Sequence, residues 1–255
     1  MESWRSKKIS LILPTYKERD SIKKVIDSFI KLKIFDEILV INNNADEGTS
    51  EEVSRTEAKE IKENIQGYGS AILRGLYESK GDLVAICEPD DTFVENDIYK
   101  LLAYSDSFDV VYGSRTMNDM IWDGANMGWF LRFGNWSVAK LLQIIFNTCS
   151  LTDVGCTYRI LNRDAIKKIL NKSKVRSNFF GPEMMLISVL SKMKIIQIPV
   201  NYKERIGISS VTGSLKKTII LGMQMIYLII SIRFMSIVDK SYIKKRIGIY
   251  SKVNK

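Results

Sequence analysis

The sequence contains no histidine. No imidazole is available as a general base or a metal ligand, so proton transfer near neutral pH falls to carboxylates. Cysteine is scarce: Cys87, Cys149 and Cys156 are widely separated and form no Cys-x-x-Cys pair. That spacing excludes a disulfide framework and a thiolate zinc site, and reads as reduced structural cysteines in a cytosolic setting. Proline is rare, and no low-complexity tract, internal repeat or interdomain linker breaks the chain. The first residues run into a strand-like segment and do not form a signal peptide. Acidic residues are outnumbered, leaving a formal net charge of +9. Such a balance suits phosphorylated ligands, anionic lipid or nucleic acid. Much of the excess lies near the C-terminus, and no nucleic-acid motif is visible.

What the chain does have is an apolar run at 83–87 that ends abruptly in Glu88-Pro89-Asp90-Asp91. A short apolar run bounded by turn signals suits a buried strand of a parallel sheet. Ligands of open α/β sheets bind outside the carboxyl ends of such strands. Glu88 and Asp90 are one residue apart, so in extended backbone they share a side and repel unless a cation neutralises them. Oxygen ligands favour a hard cation, Mg²⁺ or Mn²⁺, shared with phosphates.

The rest of the chain alternates. Strands are expected at 9–13, 37–41, 83–87, 109–112, 153–161 and 195–202. Helices are expected over 22–30, after Gly67-Tyr68-Gly69, and at 96–104, 128–146 and 183–190. A short helix and an edge strand are expected before Asn64. A polar segment at 116–127 reads as a mobile loop. The alternation predicts an α/β, doubly wound, mostly parallel sheet. Residues 218–232 carry no charge, are preceded by Lys216 and Lys217, and are followed by Arg233 and a lysine-rich tail. A span needs roughly 20 apolar residues. Gly222, Gln224 and Ser231 interrupt this run, so an interfacial helix on the cytoplasmic leaflet, or a contact in a homo-oligomer, is expected in preference to a span.

Pro14-Thr15-Tyr16-Lys17-Glu18 follows the first strand, and the 42–49 loop follows the second. Both fall on the same sheet edge as Glu88 and Asp90. With Gly67-Tyr68-Gly69, Arg74-Gly75-Leu76, Gly113-Ser114-Arg115, the 153–159 segment, Pro199-Val200-Asn201-Tyr202 and Arg205-Ile206-Gly207-Ile208-Ser209, this order resembles the family 2 glycosyltransferases. It is most similar to the branch that holds dolichyl-phosphate mannosyltransferases and bacterial polyprenyl-phosphate glycosyltransferases.

The resemblance implies a GT-A fold over 1–214, followed by an apolar helical extension and basic tail at 215–255. It implies an enzyme that moves a sugar, with inversion, from a nucleoside-diphosphate-sugar to a lipid-linked acceptor, a polyprenyl phosphate, at the cytoplasmic face of the membrane. Pro14, Tyr16, Glu18 and Asn42 would line the nucleotide pocket, with Asn42 in place of the family's usual aspartate. Gly67 and Gly69 would let backbone approach the nucleotide, with a helix N-terminus behind. Glu88 and Asp90 would hold Mg²⁺ or Mn²⁺, with Glu88 replacing the first Asp of the family's DxD. Arg115, Arg159, Arg205 and Ser209 would bind phosphate. For a hydroxyl acceptor, as in cell-surface polysaccharide synthesis, Glu183 or else Asp91 would be the base. A phosphate monoester, with a second pKa of about 6, needs none. A nucleotidyltransferase would show a glycine-rich basic loop after the first strand, which is missing. A catalytically silent membrane-docking module is the other alternative, motivated by Asn42 and Glu88.

Overall fold

The computed structural model describes residues 4–207 and 215–238. Fully buried β1 (Ile9–Thr15) leads into helix α1 (Arg19–Lys31), which presents Ile22, Val25, Ile26 and Phe29 inward. Strand β2 (Glu37–Asn42), helix α2 (Thr49–Ser54) and strand β3 (Lys59–Lys62) follow. Helix α3 (Tyr68–Glu78) and strand β4 (Leu83–Ile86) complete the N-terminal half. A 3-10 turn at Glu95–Asp97 precedes α4 (Ile98–Tyr104), then β5 (Val110–Ser114) and α5 (Trp129–Phe146). The remainder is β6 (Arg159–Asn162), α6 (Arg163–Lys172), α7 (Phe180–Leu190), β7 (Ile195–Pro199) and α8 (Leu215–Val238).

The strands form one 7-stranded sheet in the order β3-β2-β1-β4-β6-β5-β7. β1, β2, β3 and β4 are mutually parallel, as are β5 and β7; β6 runs antiparallel between β4 and β5. Because side chains alternate along a strand, each buried strand feeds two cores. Ile12, Leu39, Ile41, Val84 and Ile86 pack with α3, α5, α6, α7 and α8 on one face. Leu11, Leu13, Val40 and Ala85 pack with α1, α2 and α4 on the other. This is the α/β, mostly parallel, two-faced sheet that the alternation predicts.

Three segments depart from expectation. The strand expected over 153–161 is confined to β6, because Asp153 and its neighbours are spent on a loop around Arg115. Helix α6 was missed, although Asn162 carries an N-cap signal: its side chain accepts the Ala165 N–H at 2.9 Å. The 116–127 segment, expected to be a mobile loop, contains a 3-10 turn at Asn118–Met120 and is laced to Tyr202. Trp122 N donates to Tyr202 O at 2.9 Å, and Tyr202 N donates to Met120 O at 2.8 Å.

Candidate active site

The carboxyl ends of β1, β2 and β4 lie on one edge, as parallel pairing requires, and their loops interlock there. Asn43 N donates to Thr15 O, Asp46 N donates to Tyr16 O, and the Ser21 hydroxyl donates to Pro89 O at 2.6 Å. Pro14 is buried within β1, and the Tyr16 ring is partly exposed at the rim. Glu18 closes the β1–α1 turn. Its Oε2 accepts the N–H groups of Tyr16 (2.7 Å) and Lys17 (2.9 Å) and the Thr15 hydroxyl (3.2 Å).

Its other oxygen reaches across the edge. Arg205 Nη2 lies 3.0 Å from Glu18 Oε1, and Arg205 Nη1 lies 2.8 Å from Asp90 Oδ2. Asp90 is fully buried, and its Oδ1 accepts both the N–H (3.1 Å) and the hydroxyl (2.6 Å) of Thr92. The half-buried Glu88 side chain has no hydrogen bond or ion pair with a described residue. Burial, and then the Asp90 charge, push its pKa up to about 8 against the pull of Arg205. Glu18, Glu88, Asp90 and Arg205, drawn from loops far apart in sequence, thus meet at one place.

The linkage has a definite sign. In metal-free protein the folded state holds a proton on Glu88 that the unfolded chain releases. Stability should therefore fall as pH rises from the ordinary carboxylate range to about 8, and then level off. Denaturant titrations in chelator from about pH 5 to about pH 9 should show a shallower fall for Glu88→Gln than for wild type. Parallel curves would remove Glu88 as the source.

Other expected site residues are already engaged. Asp91, at φ +64°, turns away from Asp90 and sits between Lys24 Nζ (2.7 Å) and Lys203 Nζ (2.8 Å). Both of its oxygens are thus engaged by lysine ammonium groups. The buried Glu183 carboxylate accepts backbone N–H groups of Lys174 (3.1 Å) and Val175 (2.9 Å), so it fastens the loop before α7. Arg115 forks onto Asp153, with Nε to Oδ2 at 2.9 Å and Nη2 to Oδ1 at 3.1 Å, and lies over the Tyr202 ring. Burial alone would raise the Asp153 carboxyl; the guanidinium outweighs it and holds it below the usual carboxylate range. The arginine expected to reach a phosphate is therefore committed to a buried ion pair. Arg159 is buried in the core, over the Tyr112 ring, donating to Cys156 O and lying 3.2 Å from Met184 Sδ.

Asn42 is also tied into its own loop. Its Nδ2 donates to Glu60 Oε1 at 2.6 Å, and its Oδ1 accepts Ala45 N–H at 2.8 Å. At Gly67 and Gly69, expected to open the backbone to a nucleotide, another segment of backbone comes close. A Cβ on Gly67, at φ +142°, would lie 2.1 Å from Arg176 O, and one on Gly69 would lie 2.7 Å from Val175 O. The two glycines admit the 175–176 backbone, which Ser70 N–H then bonds at 3.2 Å. Ser209 lies outside the described residues.

Sequence reasoning missed Asn43, whose buried amide donates to Glu63 O and Ile65 O and whose oxygen accepts Gly67 N–H at 2.7 Å. Its only sequence signal was a place in the asparagine run, where turn chemistry hid it. It also missed Thr92 and Lys203, because neither their number nor their spacing marks them as partners of Asp90 and Asp91.

Among the described residues no cluster of three or more Cys, Asp or Glu side chains is arranged to hold a metal alone. Glu88 and Asp90 nevertheless fit a hard cation. Glu88 has no competing hydrogen bond, and the outer oxygen of Asp90 already faces a positive charge. Two carboxylates with phosphate oxygens completing the shell is the usual way such ions are held beside nucleotides.

Comparison with known proteins gives the chain's relatives. Residues 10–170 match the family model described as Glycosyl transferase family 2. A dolichyl-phosphate beta-glucosyltransferase of Trichomonas vaginalis is 27% identical over 237 residues, covering 83% of this chain and 71% of that protein. An uncharacterized glycosyltransferase of Mycobacterium bovis is 26% identical over 215 residues, covering 83% and 93%. Among solved structures, glucosyl-3-phosphoglycerate synthase from Mycobacterium tuberculosis, crystallised with Mn²⁺, UDP-glucose and phosphoglyceric acid, superposes with a TM-score of 0.66. That match is 17% identical and covers 89% of this chain and 80% of the other, a likeness of fold.

Proposed function

Because this chain belongs to glycosyl transferase family 2, we propose that it transfers a sugar from a nucleoside-diphosphate donor, a UDP-sugar first, to a lipid-borne phosphate. The observation that carries this is the pairing of Glu18 and Asp90 with one guanidinium, within whose field Glu88 also lies, at the carboxyl ends of β1 and β4. Glu88 and Asp90 would hold Mg²⁺ or Mn²⁺ with the diphosphate. The ion would supply charge neutralisation as the leaving group departs. Pro14 and Tyr16 border the space beside Glu18 where the nucleoside would lie, and Arg205 would add charge-assisted bonds to phosphate. The UDP and Mn²⁺ of the mycobacterial synthase and the dolichyl-phosphate specificity in the trichomonad relative's name support the donor and acceptor classes.

The state of the carboxylates favours phosphate over hydroxyl as the nucleophile. A sugar hydroxyl must lose a proton as it attacks. Asp91 is held by two lysines and Glu183 by backbone N–H groups, and there is no histidine. A phosphate monoester is mostly dianionic near neutral pH and attacks without a base.

The far side of the sheet supports a lipid setting. α5 exposes Trp129, Phe130, Phe133 and Trp136, and the α8 packed beside it exposes Met223, Tyr227, Ile230 and Phe234. Neither helix contains an acidic residue, while Arg132, Lys140, Lys216 and Arg233 are present. Among the described residues no helix is long and apolar enough to cross a membrane. Aromatic and cationic side chains on one surface suit the plane of an anionic bilayer. Lys244, Lys245 and Arg246, expected at the headgroups, lie outside the described residues.

One experiment tests both parts. Anionic vesicles carrying polyprenyl phosphate are mixed with protein, Mn²⁺ and UDP-glucose, then floated. Sugar should appear in the lipid fraction with the protein. Trp129→Ser/Phe133→Ser should cut flotation several-fold and leave Mn²⁺-dependent UDP binding intact. Transfer to a soluble glycan hydroxyl, with none to lipid phosphate, would overturn the acceptor reading.

A further inference from the structure

The placement of Arg205 bears on how the site is loaded. Asp90 has only one outward oxygen, because Thr92 occupies Oδ1 with two hydrogen bonds. Arg205 Nη1 sits 2.8 Å from that remaining oxygen, Oδ2. The hold is incomplete: Asp90 Oδ2 and Arg205 Nε are both buried without a hydrogen bond of good geometry, so the Asp90 contact is an ion pair and little more. Such a pair is attracted by charge but not locked by direction. The other end of the guanidinium is anchored on Glu18 Oε1. The segment that carries it is zipped to the same acidic loop, with Ile206 N donating to Asp90 O at 3.1 Å and Lys203 N donating to Thr92 O at 2.8 Å.

We propose that Arg205 is a tethered cation that stands in for the divalent metal on Asp90, so that metal and donor diphosphate enter together. This rests on the metal reading of Glu88 and Asp90 given above. A guanidinium and a divalent ion on one carboxylate oxygen repel each other, and Arg205 is present at unit effective stoichiometry. Free metal must therefore displace it without compensation. Metal that arrives with a diphosphate brings new anionic oxygens, toward which the released guanidinium turns while Glu18 keeps its stem nearby. The same arginine thereby serves the metal-free site and then the leaving group. Arrival of the diphosphate relieves the competition, which makes metal and nucleotide binding reciprocally cooperative.

The test reads bound Mn²⁺ directly, from loss of the free-ion electron paramagnetic resonance signal, with and without UDP. In wild type, Mn²⁺ alone should bind weakly and UDP should tighten it strongly. Arg205→Gln should bind Mn²⁺ alone about tenfold more tightly, a coupling of ordinary size, with a smaller further gain from UDP. The variant leaves Glu18 and Asp90 without their counterion, so Mn²⁺ should also raise its melting temperature more than it raises that of wild type. If Arg205→Gln does not fold, Arg205→Lys takes its place; its single ammonium cannot span both acids, and it should give a smaller tightening in the same direction. Unchanged or weaker Mn²⁺ affinity in these variants, with binding lost in Asp90→Asn, would overturn the stand-in role and leave the metal site standing. No Mn²⁺ binding by any form, even with UDP, would overturn both.

Discussion

Asp90→Asn is expected to abolish Mn²⁺-dependent binding of UDP and to lower sugar transfer on the order of 10²–10³-fold, the usual loss when one preorganised electrostatic partner of a transition state is removed. The amide keeps the size of the side chain, and its oxygen can still accept from Thr92. What it loses is the charge on the one oxygen that faces the site. Calorimetry of UDP with and without Mn²⁺ separates the two effects of that loss. Asp90 is also a counterion of Arg205, so the variant's melting temperature must be recorded beside its affinity. A folded Asp90→Asn protein with undiminished Mn²⁺-dependent UDP affinity would take Asp90 out of the metal's shell. Glu88→Gln should weaken the same binding less, because Glu88 already holds its proton up to about pH 8 in the metal-free protein.

Gly67→Ala is expected to be among the most damaging single substitutions in the molecule. The new Cβ would fall 2.1 Å from the Arg176 carbonyl oxygen, at a φ of +142° that L residues rarely adopt. Neither the backbone of 67–70 nor that of 175–176 gives way cheaply. Asn43 bonds the Gly67 N–H, Ser70 bonds Arg176, and Glu183 bonds Lys174 and Val175. Backbone strain combined with a lost contact costs about 2–4 kcal/mol. In a chain of this length that lowers the melting temperature by about 5–10 °C. Thermal unfolding without nucleotide is the measurement. A near-normal melting temperature with lost UDP binding would mean that Gly67 is kept for a nucleotide and that its contact with Arg176 is incidental.

The two halves of the chain were unequally legible. Strand–helix alternation, with apolar members at helical spacing on α1 and an uninterrupted apolar β4, determined the fold class, because each element had to bury one face or two. The loops that end in Glu18, Asn42 and Glu88-Pro89-Asp90 were placed on one edge for the same reason: parallel strands put their carboxyl ends together. Those two facts placed the candidate acids on one edge of the sheet. They could not assign partners. Whether Arg115 meets a phosphate or Asp153, whether Asp91 faces a substrate or two lysines, and whether Gly67 admits a nucleotide or the 175–176 backbone depend on segments that arrive from dozens of residues away. The partners these residues have in the structure follow from the sheet order. Antiparallel insertion of β6 between β4 and β5 sets the loop preceding β6 against Arg115, and the return of the chain after β7 brings Lys203 and Arg205 onto the acids after β4. An isolated charge in a sequence has a valence but no partner. The sequence by itself determined which groups carry charge and where along the sheet they emerge, whereas only the tertiary structure decided which charges neutralise one another, since pairing is a matter of ångströms and burial.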